Sequence, residues 1–461
     1  MTARPFSSFI SAGIDELISP KGFFCGCGRH HTADTLSYLK IEKNALCFCT
    51  KGLRALDVKK PYIVMGENGY QVAGKRVLSL LYADNIPYQL LIIPAEPRIL
   101  PNEHFVKWVE RGYDTSCDFV LGVGSGVIND LCKYFAFQHS LRAGIIATAP
   151  SMDGYASNSS AMELEGIKTT VYTVCPSLIL CDTEIMRKAP YDMLRSGFGD
   201  MAAKIVSIAD WRISHLVTDE YYCDNIAQMM LNACNSIIEN VEQIAARDEH
   251  AIQIMAEGLV LSGIASSFAG VSRPASGLEH TISHLLEMFA LAKGAEPAFH
   301  GLQVGYGLRI ALKLYEMAAN AEFSEKRCCT AAEQFNENQW ETEIKAVFGS
   351  QGEVLIQNAL KERRNSRENI LKRALAALLR QEEIRQIIRE TLRRTPQITA
   401  ALDRMEIAPI HMPEELGYTK EEAINAVVYS KDLRQRYIFT SLCSDLGILQ
   451  RRDVEELITG K

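Results

Sequence analysis

Apolar and polar positions change rhythm once along this chain. From about Lys60 to Thr183, short β-prone apolar runs alternate with segments whose apolar residues recur at helical spacing. Tyr62–Met65, Gln89–Ile93, Phe119–Val123, Gly144–Thr148 and Ser177–Cys181 read as strands. Val72–Tyr82, His104–Gly112 and a stretch from about Asn129 read as helices. Such alternation predicts parallel strands joined by right-handed crossovers. After about Pro190 the strand signal fades. Ala227–Ala246, Ile252–Phe268 and Ile370–Leu392 keep a period of about 3.6 residues, so the second part is expected to be all-helical. The boundary is predicted near residues 185–195, giving an α/β domain over 1–190 and an all-α domain over 191–461.

Composition narrows the class. Of 461 residues, 47% are hydrophobic and 23% charged, the balance of a globular chain with ample core material. The net charge of −7 gives no support for nucleic-acid or anionic-membrane binding. The longest apolar runs, such as Leu90–Pro94 and Ile145–Pro150, fall far short of the roughly 20 residues a bilayer requires. Met1–Ser19 carries Asp15 and Glu16 and lacks a basic-then-apolar leader, so no signal peptide is read. Thirteen scattered cysteines read as reduced thiols of a cytoplasmic protein. Lys361–Arg394 is rich in Lys and Arg, but its interleaved Glu, Leu and Ile read as a solvated helix face with ion pairs.

Two segments in the first part carry candidate chemistry. Phe119–Lys133 runs a buried strand into Gly122, Gly124 and Gly126 and then into a helix. Backbone N–H groups at such a helix start can receive a pyrophosphate, where the helix dipole also favours negative charge. Asn129 stands where the third glycine of the usual dinucleotide fingerprint would fall, and a ligand-free Gly-rich turn is the alternative. Thr148–Ser157 follows the next strand and crowds hydroxyls around Asp153. Loops at the carboxyl ends of parallel strands form ligand crevices, although a capped turn before Gly154 reads equally well. Glu67, just after the first strand, is placed to hold a ribose hydroxyl; it leans towards NAD over NADP, and a plain turn residue is the simpler reading.

The second part carries divalent-metal ligand types. Asp200 follows the glycines of Gly197-Phe-Gly-Asp200; His280 and His284 share one helix face; His300 stands 20 residues beyond His280. One carboxylate and two imidazoles leave a coordination position open, which is the catalytic pattern. The spacing is not H-E-x-x-H, which excludes a zincin protease. A competing metal reading groups Cys25, Cys27, His30 and His31 with Cys47 and Cys49. The C-x-C spacing is tighter than the usual C-x₂₋₄-C, and a hairpin with reduced thiols is the expectation there.

These segments, in this order, resemble the sn-glycerol-1-phosphate dehydrogenase family, in its bacterial AraM-type branch. That family falls within the dehydroquinate synthase and iron-containing alcohol dehydrogenase superfamily. The resemblance rests on Cys25–His30, Gly124–Asp130, Thr148–Ser157, Gly197–Asp200, Ser272–His280, His300-Gly301 and Asp432–Tyr437, and spans about residues 20 to 445. It implies a Rossmann-like dinucleotide-binding domain over 1–190, with an N-terminal hairpin, and a metal- and substrate-binding helical domain over 191–461, the dehydroquinate synthase-like arrangement. It implies that NAD or NADP contacts Gly126, Val127, Ile128, Asn129, Asp130, Thr148, Ala149, Pro150, Ser151 and Ser157, with Glu67 by the adenosine ribose. It implies one divalent ion on Asp200, His280 and His300, with Zn²⁺ first and Ni²⁺ or Fe²⁺ as alternatives. Asp153, Asp200 and His284 are the implied catalytic residues.

The expected activity is reversible reduction of dihydroxyacetone phosphate to sn-glycerol 1-phosphate. Lys204 and Arg273 are candidates for the phosphate, and 320–394 fit the family least. The expected partners are the small-molecule substrate and a second copy of the chain, in a homodimer or larger homo-oligomer, with no nucleic acid and no membrane insertion. The alternatives are a glycerol dehydrogenase, a dehydroquinate synthase-like cyclase, or a non-catalytic protein retaining the fold.

Overall fold

The computed structural model describes residues 14–18, 22–164 and 167–460; most of the segment read for a leader lies outside them. Among the described residues, ten strands precede Thr183 and only helices and turns follow it. β1 (Phe23–Phe24) and β2 (His30–His31) make an antiparallel hairpin. β3 (Tyr38–Glu42), β4 (Pro61–Gly66), β5 (Gln89–Ile93), β6 (Phe119–Gly124), β7 (Arg142–Ala147) and β10 (Leu178–Asp182) form one parallel sheet in the order β3-β10-β7-β6-β4-β5. β4, β6 and β10 are buried along their whole length, which is why they read as unbroken apolar runs rather than alternating ones. The crossovers include α1 (Lys75–Ala83), α2 (Glu103–Arg111) and α3 (Gly126–Gln138).

The winding reverses once. From β4 the chain steps outward to β5, then returns to β6 on β4's other side and continues to β7 and β10. A crevice opens at the carboxyl ends of the strands where an open sheet reverses, here between β4 and β6. β8 (Ser159–Leu164) and β9 (Ile167–Tyr172) form a separate antiparallel pair that the sequence reading did not include, nor did it include β3.

Two compact units result. The described residues up to Met201, with Cys223–Ala275, form one; Ala202–Tyr222, with the chain from Ser276, forms the other. The first unit contains the sheet, α4 (Tyr191–Ala202) up to its last residue, α6 (Asp224–Glu239) and α7 (Glu249–Ala269). α7 is capped by the Asp248 side chain, which accepts from the Ala251 N–H, and ends at Gly270 in the left-handed region. Among the described residues α7 is the one helix long and apolar enough to cross a membrane, and 67% of its apolar window is buried inside the chain. Polar residues such as Ser262 and Glu257 interrupt its apolar run, so counting unbroken runs passes over it.

The second unit is all-helical, with α5 (Lys204–Thr218), α8 (Leu278–Ala292), α9 (His300–Asn320), α10 (Arg367–Leu379) and α11 (Gln381–Leu392) among its elements. α5 packs on the other four. The stretch read as one helix from Ile370 to Leu392 breaks at Arg380. Its charged face is exposed and ion-paired, as in Arg380–Glu383, while Ile384, Ile387 and Ile388 are buried.

Candidate active site

In the first unit, the sheet's reversal sets Glu67 at the end of β4 and Ser125-Gly126 at the end of β6. Ser125 caps α3 in extended backbone without a side-chain bond to the helix. The first N–H groups of α3, at Gly126, Val127 and Ile128, have no carbonyl one turn earlier to bond, so the helix start is a ready anion receiver. The Ile128 side chain is buried, which leaves only its backbone for a ligand. The Glu67 carboxylate accepts from the Ala95 N–H at 3.0 Å, tying the end of β4 to the chain beyond β5.

The loop after β7 is fastened to this helix. Thr148 N–H donates to the Gly124 carbonyl at 3.0 Å, joining the ends of β7 and β6. Ala149, Pro150 and Ser151 are buried; Tyr155 donates to the Ala149 carbonyl at 2.6 Å and Ser196 to the Ser151 carbonyl at 2.8 Å. Asn129 Nδ2 donates to the Gly154 carbonyl at 3.2 Å, and its buried Oδ1 has no hydrogen-bond partner. Lys133, which sequence reasoning missed, is buried beneath the loop. Its ammonium reaches the carbonyls of Gly154, Ser157 and Ser159, the Ser157 hydroxyl, and the Asp130 carboxylate at 3.3 Å. Asp130 also accepts from the Ala161 N–H. Lys133 follows Asn129 by four residues on α3, a helical spacing that marks it as a neighbour.

Two carboxylates of the first unit lie together. Asp153 N–H donates to Asp200 Oδ2 at 3.0 Å, and Ser262 on α7 donates to Asp153 Oδ2 at 2.7 Å. Asp200, on α4, is fully buried. Nothing in the sequence pattern pointed to Ser262.

In the second unit, His280, His284 and His300 come together. The ring centroids of His280 and His300 are 5.4 Å apart and those of His284 and His300 5.7 Å. Two imidazoles sharing a tetrahedral ion, with metal–nitrogen bonds of about 2.0–2.1 Å, have centroids about 5 Å apart, so the first pair fits. The approach of their helices depends on Gly307 of α9. A Cβ there would lie 2.6 Å from the Glu279 carbonyl of α8.

The start of α8 is held by two buried acids. Asp210 accepts from the N–H groups of Leu278 and Phe439 and from the Tyr315 hydroxyl. Glu279 Oε1 accepts from Gly277 N–H at 2.8 Å, Ser207 Oγ at 2.5 Å and His280 Nδ1 at 2.8 Å. Burial alone would push the Glu279 carboxyl up, but these bonds, led by that from His280, hold it below its ordinary value. The Nδ1 bond to Glu279 fixes the orientation of the His280 ring. Glu287 lies 3.4 Å from His284 Nδ1 and 3.5 Å from His300 Nδ1. Burial, reinforced by the Arg434 charge, pushes the His284 imidazole down to about 3, so it is neutral at working pH. Glu279 and Glu287 were both missed. Adjacency to His280 and the three-residue step from His284 were the available signals.

Residues 40–190 match the iron-containing alcohol dehydrogenase family. A relative named glycerol-1-phosphate dehydrogenase (NAD(P)+), from Halalkalibacterium halodurans, is 33% identical over 297 residues, covering 64% of this chain and 74% of the relative. The chain belongs to the glycerol-1-phosphate dehydrogenase family. A second glycerol-1-phosphate dehydrogenase, from Bacillus licheniformis, is 32% identical over 305 residues, covering 66% of this chain and 76% of its own. The fold matches the alcohol dehydrogenase from Oenococcus oeni with a TM-score of 0.60 at 15% identity, covering 92% of this chain and 98% of that one. Family membership agrees with the donor types found in each unit: a glycine-lined helix start beside the sheet's reversal, and oriented imidazoles on facing helices.

Proposed function

We infer that this chain is an oxidoreductase that reversibly reduces dihydroxyacetone phosphate to sn-glycerol 1-phosphate with NAD(P)H. The glycerol-1-phosphate dehydrogenases that match about two thirds of the chain carry this reading. In the proposed site, Asp200, His280 and His300 hold one divalent ion, with Zn²⁺ preferred. The support is the burial of Asp200, the spacing of the two imidazoles, and the carboxylate on His280 Nδ1 that orients its other nitrogen. NAD(P) is assigned to the helix start at Gly126–Asp130, to Thr148–Ser151 and Ser157, and to Glu67. Residues 1–190 are thus assigned the dinucleotide and 191–461 most of the metal and substrate contacts.

When bound, the ion supplies Lewis-acid stabilisation of the developing negative oxygen and the nicotinamide supplies the hydride. The chain's own residues position and bind. Glu279 fixes the His280 ring, and Ser262 fixes the Asp153 carboxylate, which is assigned to a substrate hydroxyl. A neutral imidazole with a pKa of about 3 is a weak base. His284 is therefore assigned to hold a substrate hydroxyl rather than to store a proton. Lys204 and Arg273, both buried, and Arg434, whose charge acts on His284, are the cationic candidates for the phosphate. None of the thirteen cysteines is in a disulfide, which supports the cytoplasmic assignment. Self-association into a homodimer or larger homo-oligomer belongs to the same proposal and is read by light scattering.

The test follows reduced-cofactor absorbance with dihydroxyacetone phosphate and with dihydroxyacetone, followed by stereochemical analysis of the product. Net oxidation with the phosphorylated ketone alone, giving the sn-1 product, is expected. Equal turnover of both ketones would favour a glycerol dehydrogenase, and the absence of net oxidation with either would sink the reading.

A further inference from the structure

The N-terminal hairpin holds a second set of metal-ligand atoms, entirely within the first unit. Cys25 and Cys27 lie on the turn between β1 and β2. Cys25 N–H donates to the Arg29 carbonyl and Gly28 N–H to the Cys25 carbonyl, each at 3.0 Å. Gly28 has φ 84°, the left-handed region that glycine enters without a Cβ penalty. His31 follows on β2, and Cys223 comes from nearly two hundred residues away, at the start of α6. Cys25 Sγ is 3.6 Å from Cys223 Sγ, Cys27 Sγ is 3.4 Å from His31 Nε2, and Cys223 Sγ is 3.8 Å from the same nitrogen. The four ligand atoms all lie within 4.8 Å of one another.

These separations are those of a tetrahedral zinc site. With Zn–S of about 2.3 Å and Zn–N of about 2.0–2.1 Å, sulfurs stand about 3.8 Å apart and sulfur and nitrogen about 3.5 Å. A disulfide would need the sulfurs at about 2.05 Å. The surroundings are built for the same task. His31 Nδ1 is 2.7 Å from the Phe268 carbonyl, which only accepts, so the proton sits on Nδ1 and the Nε2 lone pair faces the sulfurs. Asn225 Nδ2 donates to Cys25 Sγ at 3.2 Å, which holds that sulfur in place beside Cys223. Cys25, His31 and Cys223 are buried. Cys47 and Cys49, grouped with the hairpin by sequence, are not in the cluster.

We propose that Cys25, Cys27, His31 and Cys223 bind a second, structural Zn²⁺. Four protein ligands close the coordination shell and leave no position for substrate, so the ion clips the hairpin to α6 and does not react. The expected hairpin with cysteines outside disulfides is observed, and the proposal adds an ion to it. It stands whether or not the dehydrogenase reading does.

The test loads the full-length protein with Co²⁺ in place of its metals and records its spectrum. The proposed catalytic ligands contain no sulfur, so thiolate-to-cobalt charge-transfer bands report on this site alone. Wild type and His280→Ala should both show the bands, and His280→Ala should keep about one tightly held zinc per chain by elemental analysis. Cys223→Ser should lose the bands and that zinc while retaining the metal assigned to Asp200, His280 and His300. Absence of the bands in wild type would overturn the proposal, even if Cys223→Ser failed to fold. So would isolation of the untreated protein with Cys25 and Cys223 joined as a disulfide.

Discussion

His280 Nδ1 is 2.8 Å from Glu279 Oε1, and the two residues are neighbours in the chain. The first turn of α8 thus carries both a metal-ligand candidate and the carboxylate that sets its tautomer. Removing such a carboxylate weakens metal affinity by about 10–100-fold. Glu279→Ala should lie at the upper end and Glu279→Gln, whose amide oxygen still accepts from the imidazole, at the lower. Chelator competition measures both.

His284 makes stability depend on pH. Its folded value of about 3 lies below the ordinary histidine value of about 6.5. Between these limits the unfolded chain takes up a proton that the folded chain refuses. The stabilisation from a neutral His284 is complete above about pH 6.5 and is lost as pH falls towards 3, at up to about 1.4 kcal/mol per pH unit. In chelated protein, denaturant unfolding of wild type against His284→Asn should show this difference growing from about pH 6.5 to pH 5. A difference independent of pH would refute the buried neutral imidazole.

Asp153 and Ser262 separate catalysis from metal retention. Asp153→Ala should keep its metal and lose about 100-fold or more in kcat, in the range of a lost positioned polar group. Ser262→Ala removes only the donor that orients Asp153 and should cost about 10-fold. Metal analysis and initial rates on the same preparations check both.

Lys133 is the post under the Thr148–Ser157 loop. Lys133→Met fills the space but takes the ammonium away from three carbonyls, of which those of Gly154 and Ser159 keep another side-chain donor, and leaves Asp130 without its cation. Breaking a buried pair in this way costs about 3–5 kcal/mol. The denaturant midpoint should fall accordingly, and the KM for reduced cofactor should rise because the loop loses its seat.

In the proposed ribose subsite the Glu67 charge would oppose a 2′-phosphate. Glu67→Ser should raise the ratio of kcat/KM for NADPH to that for NADH by about 10-fold, mostly through a lower KM for NADPH. An unchanged ratio would remove Glu67 from the ribose subsite.

The sheet was legible where its strands, such as β4, β6 and β10, are buried along their whole length and write that burial as apolar runs. Gln89–Ile93 was read to the residue. β3 escaped because its burial alternates and Lys40 and Glu42 interrupt the run, and the β8–β9 pair because Ser and Thr fill it. Helix periodicity shows that a segment coils and which face is apolar, but not which partner covers it. Glu279 and Lys133 sit beside residues the motifs had marked and were within reach. Asp210, Ser262 and Cys223 were not, because each meets its partners across long stretches of chain that no local spacing encodes.

α7 gives the first unit an assembly order of its own. It supplies Ser262 to Asp153 and the Phe268 carbonyl to His31, yet it is synthesised after the chain has left the first unit at Ala202 and come back at Cys223. A nascent polypeptide that has emerged only as far as β10 holds the complete sheet but lacks the helix that covers part of it. The full set of contacts of this unit therefore becomes available only once Ala269 has been made, well after the last strand.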